Sequence, residues 1–372
     1  MARGFNTLTG GQSVPATGQI SGFVLRLARQ SAGMTQEKLA EVLGVDNTTI
    51  QGWESGRRPL SAVSAGDFLR LCGRLSRMGA PASTGRRLRE AIEADQVLAT
   101  GITAGHAWVS ADNHPLAASV HRWTITNLIL WPILRKTPQH LAEFIPRIAR
   151  RGPMPTYPTL SSEERTRFLD HLLTVAERAT HADEALLRRQ AVYLLGFDGR
   201  PATVDWLRTE WKRAGKRRPK DGNITELLEA RSASVALAVA GDGTQLYDFV
   251  GHMSGQTEET ANLNYWAYWI GELSDEQTSD LFMLDVDTRS WTGVRLLQHL
   301  LQRLDPDSPH LPLNLSTMHA LVASRPSLLN GRPETRAALA EILDRLSSSN
   351  SLVRTEREQL AGLQYAIRIA DR

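Results

Sequence analysis

The sequence predicts an all-α protein: a small N-terminal domain of about five helices, then a large helical region built as a HEAT- or TPR-like solenoid of paired helices or as a bundle. Three observations carry that expectation. Apolar residues recur at three- and four-residue spacing almost throughout, the period of a helix face, and no run of alternating strand residues stands out. Helix-start and helix-stop residues fall where those faces begin and end. At 372 residues the chain is also too long for one ordinary domain, which points to two or three.

Residues 1–19 are rich in Gly, Ser and Thr and lack an apolar core, so they read as a flexible segment rather than a secretory signal. From Ser21 on, Phe23, Val24 and Leu27 form one helix face, and Leu39, Ala40, Leu43 and Val45 form the next. Gly33, Gly44 and Gly56 break the stretch into short helices, and the domain is read as residues 20–78. The run Gly79-Ala-Pro-Ala-Ser-Thr-Gly85 reads as a linker and a helix is expected over residues 86–99, so that 79–114 form a linker and connecting helix.

Residues 115–372 are expected to be helical throughout. Thr137-Pro138 reads as a cap with proline at the first helical position, ahead of Leu141, Phe144, Ile145 and Ile148. Ser161-Ser-Glu-Glu164 is a capping box. Asn223 is expected to cap a helix that Gly241 ends, and residues 335–346 and 355–369 supply two final amphipathic helices. A weak repeat runs through this region. The segment 186–196 with its following helix resembles 227–237 with residues 244–253, and 264–271 with residues 275–283 reads as a third copy. The spacing of about 40 residues suits two-helix solenoid units.

Charge separates the two parts. The formal net charge is only +3, but residues 1–100 hold twelve Lys/Arg against eight Asp/Glu, so the basic excess lies at the N-terminal end. That distribution suits one domain that meets a polyanion. Much else is excluded. The longest uncharged apolar stretch, residues 124–134, is too short to span a bilayer, so no membrane role is expected. One cysteine, Cys72, rules out a disulfide framework or a CxxC metal site. Neither a phosphate-binding glycine loop nor a nucleophile elbow is present, and the ten histidines show no metal-ligand spacing. No enzyme activity, cofactor or metal is therefore expected.

The informative stretch is Gly33-Met-Thr-Gln-Glu-Lys-Leu-Ala-Glu-Val-Leu-Gly-Val-Asp-Asn-Thr-Thr-Ile-Gln-Gly-Trp-Glu-Ser-Gly-Arg-Arg-Pro59. Thr35 caps a helix with Leu39, Ala40 and Leu43 inward, Gly44 turns, Val45 plugs the core, and Asp46 caps a second helix anchored by Ile50 and Trp53. In this register it resembles the helix-turn-helix of the lambda-repressor-like (Xre) family of bacterial regulators. The resemblance covers residues 20–78, roughly a sixth of the chain. It implies double-stranded DNA as the partner, with the second helix entering the major groove. The outward side chains Asn47, Thr48 and Gln51, with Gly52 where relatives often carry a polar reader, are the expected base-reading positions. Thr35, Gln36, Thr49, Arg57 and Arg58 are the expected phosphate contacts.

Outside this motif, Asn262, Asn264, Tyr265, Trp266 and Trp269 are candidates for a ligand or peptide groove, against the plainer reading that the aromatics are core and the amides local caps. The basic runs 86–89 and 208–220 read chiefly as solvated faces, and the acidic stretch 272–287 lacks the spacing of a calcium loop. The expected function is a cytoplasmic, nucleoid-associated transcriptional regulator, a repressor that binds a pseudo-palindrome as a homodimer. The helical region would answer a small-molecule, peptide or protein effector. Two alternatives remain: a regulator of the peptide-pheromone-receptor type, whose clear 34-residue repeat consensus is missing here, and an interaction protein whose helical array docks a partner.

Overall fold

A computed structural model of the chain describes residues 18–145, 155–215, 224–253, 255–348 and 352–370. Among these residues the secondary structure is helical, with no strand. The chain forms two compact units, Met1–Ala107 with Thr124–His171, and Trp108–Trp123 with Leu172–Arg372.

The first unit opens with α1 (Gln19–Ser31), α2 (Gln36–Leu43), α3 (Asn47–Glu54), α4 (Ala65–Arg77) and α5 (Thr84–Ala104). The short α6 (Pro115–Ala118) belongs to the second unit; most of α7 (Trp123–Leu134) and the start of α8 (Ser162–Arg178) return to the first. Helix α1 is centred in this unit, with Ile20, Val24, Leu25 and Ala28 fully buried. Its N-cap is Gly18, which has no side chain to satisfy the first N–H groups, and α5 supplies the acceptor instead. Asp95 accepts from the backbone N–H of Ile20 at 2.8 Å and of Ser21 at 2.9 Å. Where α1 crosses α3, a Cβ on Gly22 would stand 2.2 Å from the carbonyl oxygen of Trp53, so only glycine permits the approach. Phe23 meets Trp131 edge-on at 4.9 Å, and the Arg26 guanidinium lies 3.8 Å over the Phe23 ring.

Two expected features look different here. Ala80 is buried and α5 begins already at the buried Thr84, so the expected linker shrinks to a packed turn over residues 79–83. The helix expected after Thr137-Pro138 is a 3-10 turn, Gln139–Phe144, in which Leu141 and Phe144 are buried but Ile145 is exposed. Ile145 precedes Pro146, which disfavours helical backbone, and its ψ of 119° is extended. Ile148 lies outside the described residues. The capping box is formed: Glu164 N–H donates to Ser161 Oγ at 3.1 Å, and Ser161 N–H to the Glu164 carboxylate at 2.8 Å.

The second unit continues with α9 (Ala185–Leu195), α10 (Pro201–Gly215), α11 (Ile224–Val239), α12 (Thr244–His252) and α13 (Gln256–Trp269). It closes with α14 (Phe282–Asp285), α15 (Val294–Leu301), α16 (Leu311–Ser324), α17 (Pro333–Ser347) and α18 (Arg354–Ala370). The second copy of the repeat is a helix pair, α11 on α12, whereas the helices of the first, α9 and α10, each pack chiefly on α11. Gly241 ends the α11 segment at φ +98°, with Asp242 N–H bonded to Leu237 O at 2.8 Å, while Asn223 lies outside the described residues. The third copy fails. In place of a helix over 275–283 only the four-residue α14 forms, because Arg122 draws the carbonyls of Leu273, Ser274 and Asp275 and the Gln277 carbonyl accepts from Val120 N–H. Helix α13 then packs on α16, which also meets α12 and α18. Among the described residues no helix is long and apolar enough to cross a membrane.

Candidate nucleic-acid interface

The reading head is assembled from local signals and one buried network. The Thr35 hydroxyl accepts from Lys38 N–H at 3.1 Å and starts α2. Gly44 takes φ +71°, the left-handed turn expected of it, and Val45 N–H closes the end of α2 on Ala40 O at 3.0 Å. Leu39, Ala40 and Ile50 are buried, whereas Leu43, Val45 and Trp53 are half-buried. Asp46 holds the N-cap position of α3 with extended backbone, but its carboxylate makes no capping bond; only its carbonyl accepts, from Thr49 N–H at 2.9 Å. The expected side-chain cap is thus absent.

What fixes α3 in space is Glu54. Its carboxylate, 3% exposed, receives Arg29 Nε at 2.5 Å and a second Arg29 nitrogen at 2.9 Å, and Gln36 Nε2 donates to it at 2.7 Å. Arg29 also donates to Met34 O at 2.7 Å. One buried carboxylate therefore ties α1, the start of α2 and the end of α3 together. The sequence offers no local signal for this role of Glu54, whose main partner lies 25 residues away, where no spacing rule reaches.

The expected contact residues divide by exposure. Thr48, Gln51, Arg57 and Arg58 are exposed, as is Thr35. Asn47, Thr49 and Gln36 are half-buried. The Asn47 amide nitrogen donates to Glu37 at 3.4 Å, and the Gln36 amide nitrogen is taken by Glu54. Glu37 is held below the usual carboxylate range, first by its own backbone N–H and the Thr35 hydroxyl. Gly52 is buried because Arg58 lies over it: a Cβ at position 52 would stand 2.9 Å from Arg58 Cδ. The Arg58 guanidinium donates to Thr49 Oγ1 at 3.0 Å. A long cation thus covers the position where a reader was expected. Two further arginines escaped the sequence reading. Arg57, Arg58, Arg70 and Arg74 all border one recess of about 810 Å³ between α2, α3 and α4, with Val42, Leu43 and Leu71 among its apolar walls. Arg70 is paired with Asp67.

The other candidate residues fall elsewhere. Asn264 is fully buried: its amide nitrogen donates to Met283 O at 3.0 Å and Val286 O at 2.7 Å, and its oxygen accepts from Trp291 Nε1 at 3.0 Å. Asn262 donates to Thr317 Oγ1 at 3.0 Å inside the core. Both amides therefore brace α13 against its neighbours. Tyr265 and Trp266 are buried, and Trp269 is half-buried. Of the basic runs, Arg87 is paired with Glu90, Arg208 with Asp205 and Asp242, and Arg213 with Glu210 and Glu229; residues 216–220 lie outside the described chain.

The comparison with known families fits this geometry. Residues 25–74 match the family described as helix-turn-helix. No curated protein and no solved structure matches the chain. Residues 25–74 therefore carry a helix-turn-helix of the lambda-repressor-like type, a domain of DNA-binding transcription regulators.

Proposed function

We propose that the protein is a sequence-specific transcriptional regulator, a repressor in the cytoplasm and nucleoid, whose residues 20–78 read DNA and whose region 115–372 dimerises and receives a signal. The observation that carries this reading is the outward face of α3. Thr48 and Gln51, one turn apart, stand exposed beside Arg57 and Arg58, while Ile50 and Glu54 fix the opposite side of the helix. A helix held this way enters the major groove, where Gln51 can pair both edge groups of an adenine and Thr48 can meet a thymine methyl. Arg57 and the Thr35 hydroxyl suit the phosphates on either side. Arg58, lying over Gly52, supplies the cation next to the bases.

One recognition helix contacts only a few base pairs, so a homodimer on two half-sites about one helical turn apart is the arrangement that gives specificity. Selection of bound duplexes from a random pool tests this directly. The expected outcome is a two-fold-symmetric consensus with half-sites about 10 base pairs apart, bound by a dimer in sedimentation. An asymmetric consensus bound by a monomer overturns the dimer and leaves the reading head. Control by an effector acts by its differential affinity for two states of the protein.

A further inference from the structure

Among its described residues the second unit contains cations that meet no carboxylate. Of its buried arginines, Arg189 is fully paired, with Nε 2.6 Å from the Asp280 carboxylate. Arg231 on α11 is 7% exposed and, among the described residues, meets no carboxylate; its Nε has no hydrogen-bond partner. Its guanidinium lies 4.1 Å from the Tyr265 ring centre and 5.8 Å from that of Trp266. Arg303, half-buried after α15, reaches only His299 Nδ1 among the described residues, at 3.3 Å. The acid nearest in sequence to Arg231, Glu229 on α11, is taken by Arg188 and Arg213, which also share Glu210 on α10. Burying a guanidinium without a carboxylate is unfavourable, so a fold that keeps two of them open is organised around something else.

Their neighbours are donors as well. Trp266 Nε1 is buried without an acceptor. His299 is pushed down to about 3 by burial and by Arg303, and His310 to about 4 by burial, Arg231 and Arg303, so both rings are neutral. The Trp266 ring, 5.8 Å from the Arg231 guanidinium, lies 5.6 Å from the His299 ring that Arg303 meets, so the two cations flank one aromatic pair. Beside them stands an aromatic wall. Tyr265 stacks on Trp269 at 5.9 Å and 17°, and Tyr193 meets Trp269 edge-on at 5.8 Å. Tyr193, Trp269, His299, Arg303 and His310 all keep part of their surface in water, so the cluster opens to solvent.

We propose that this cluster binds a small planar anion, with its carboxylate or phosphate between Arg231 and Arg303 and its ring against the Tyr193–Trp269 wall. Guanidinium groups match both acid types, and a flat ring gains by stacking on indole and phenol. The inference rests on the reading that the helical region receives a signal, and it names the chemistry of that signal.

Calorimetry on the full chain at constant ionic strength tests it, with benzoate, adenosine monophosphate, inorganic phosphate and uncharged adenosine as probes. Benzoate or adenosine monophosphate binds at least about tenfold more tightly than phosphate or adenosine, and the winner identifies the acid type. Arg303→Gln and Trp269→Ala each weaken that binding about tenfold or more. A purely structural arginine would lower the melting temperature of the ligand-free chain when replaced. Here Arg303→Gln leaves that temperature unchanged or raises it by about 2 °C, and loses the rise that the bound anion gives. Arg303 is half-exposed, so this variant carries the test even if Arg231→Gln fails to fold. Absence of binding by all four probes, equal binding of phosphate and the ring-bearing anions, or unchanged affinity in both variants overturns the proposal. DNA binding measured on the same samples keeps the two readings apart: its loss with anion binding intact refutes the regulator, and the converse refutes only this site.

Discussion

Replacing Glu54 by alanine removes one carboxylate and undoes the junction of three helices. The structure sets the size of the effect. Three hydrogen bonds to the carboxylate vanish, two from Arg29 and one from Gln36, and the Arg29 guanidinium is left 4% exposed with only Met34 O to meet it. Stranding one member of a buried ion pair costs about 3–5 kcal/mol. A domain this small has little more than that in reserve, so Glu54→Ala should largely unfold the reading head while the second unit persists. Hydrogen exchange resolves the two units: amides of α2 and α3 should exchange on the order of a hundred- to a few-thousand-fold faster, with peptides from α16 unchanged. Glu54→Gln keeps the shape and should lose less. The double change Arg29→Met with Glu54→Leu, which strands no charge, should recover most of the protection. Exchange in α2 and α3 within about fivefold of the parent would refute the claim that Glu54 holds the head together.

Other expectations are equally direct. Gly22→Ala forces a methyl to within 2.2 Å of a backbone oxygen and should cost about 1–3 kcal/mol or more in chemical denaturation. Gly52→Ala meets only the flexible Arg58 side chain at 2.9 Å, so stability should change by less than about 1 kcal/mol while DNA affinity falls, because Arg58 is displaced. Buried groups should respond to pH with opposite signs, Asp95 one way and the buried histidines of both units, His140 in the first included, the other. Burial pushes Asp95 up to about 7, against the Ser21 hydroxyl and the two backbone N–H groups that favour the charge. A carboxyl raised in the folded state gives stability that is full below about pH 4 and lost as pH rises toward 7. In the second unit burial lowers His121 to about 4, together with the Arg189 charge, and His299 and His310 are lowered likewise. Neutral buried rings give stability that is full above about pH 7 and lost as pH falls through 6 to 4. Each contribution is on the order of a few kcal/mol at most. Exchange at pH 5 and 7.5 compared between the parent and Asp95→Asn checks the first sign: the substitution should remove the loss of protection that the α1 amides of the parent show at the higher pH.

What the sequence makes legible is what short-range chemistry decides. Thr35, Gly44, Leu39 and Ile50 announce the helix-turn-helix because cap, turn and core face lie within a few residues of one another, and the box at Ser161 and Glu164 is legible for the same reason. Glu54 and Asp95 are opaque because their partners sit 25 and 75 residues away. Asn264 reads as a groove candidate because it shares a helix with large aromatics, yet its partners come from α14 and the chain leading to Trp291. The missing second helix of the third repeat has the same cause: its carbonyls are captured by Arg122, about 150 residues earlier, an event no local propensity encodes. The arginine cluster around Tyr265 likewise exists only once α11, α13 and α15 are packed.

The central claim, that the N-terminal unit reads DNA sequence through α3, is tested most directly by a salt titration of binding to genomic fragments with Gln51→Ala and Arg57→Ala alongside. The account predicts selection of particular fragments and a linear fall of log affinity with log salt. Gln51→Ala should lose about 1–3 kcal/mol and relax specificity, while Arg57→Ala should weaken all sequences alike and reduce the salt slope by about one. Equal binding to every fragment, with both variants indistinguishable from the parent, would contradict it.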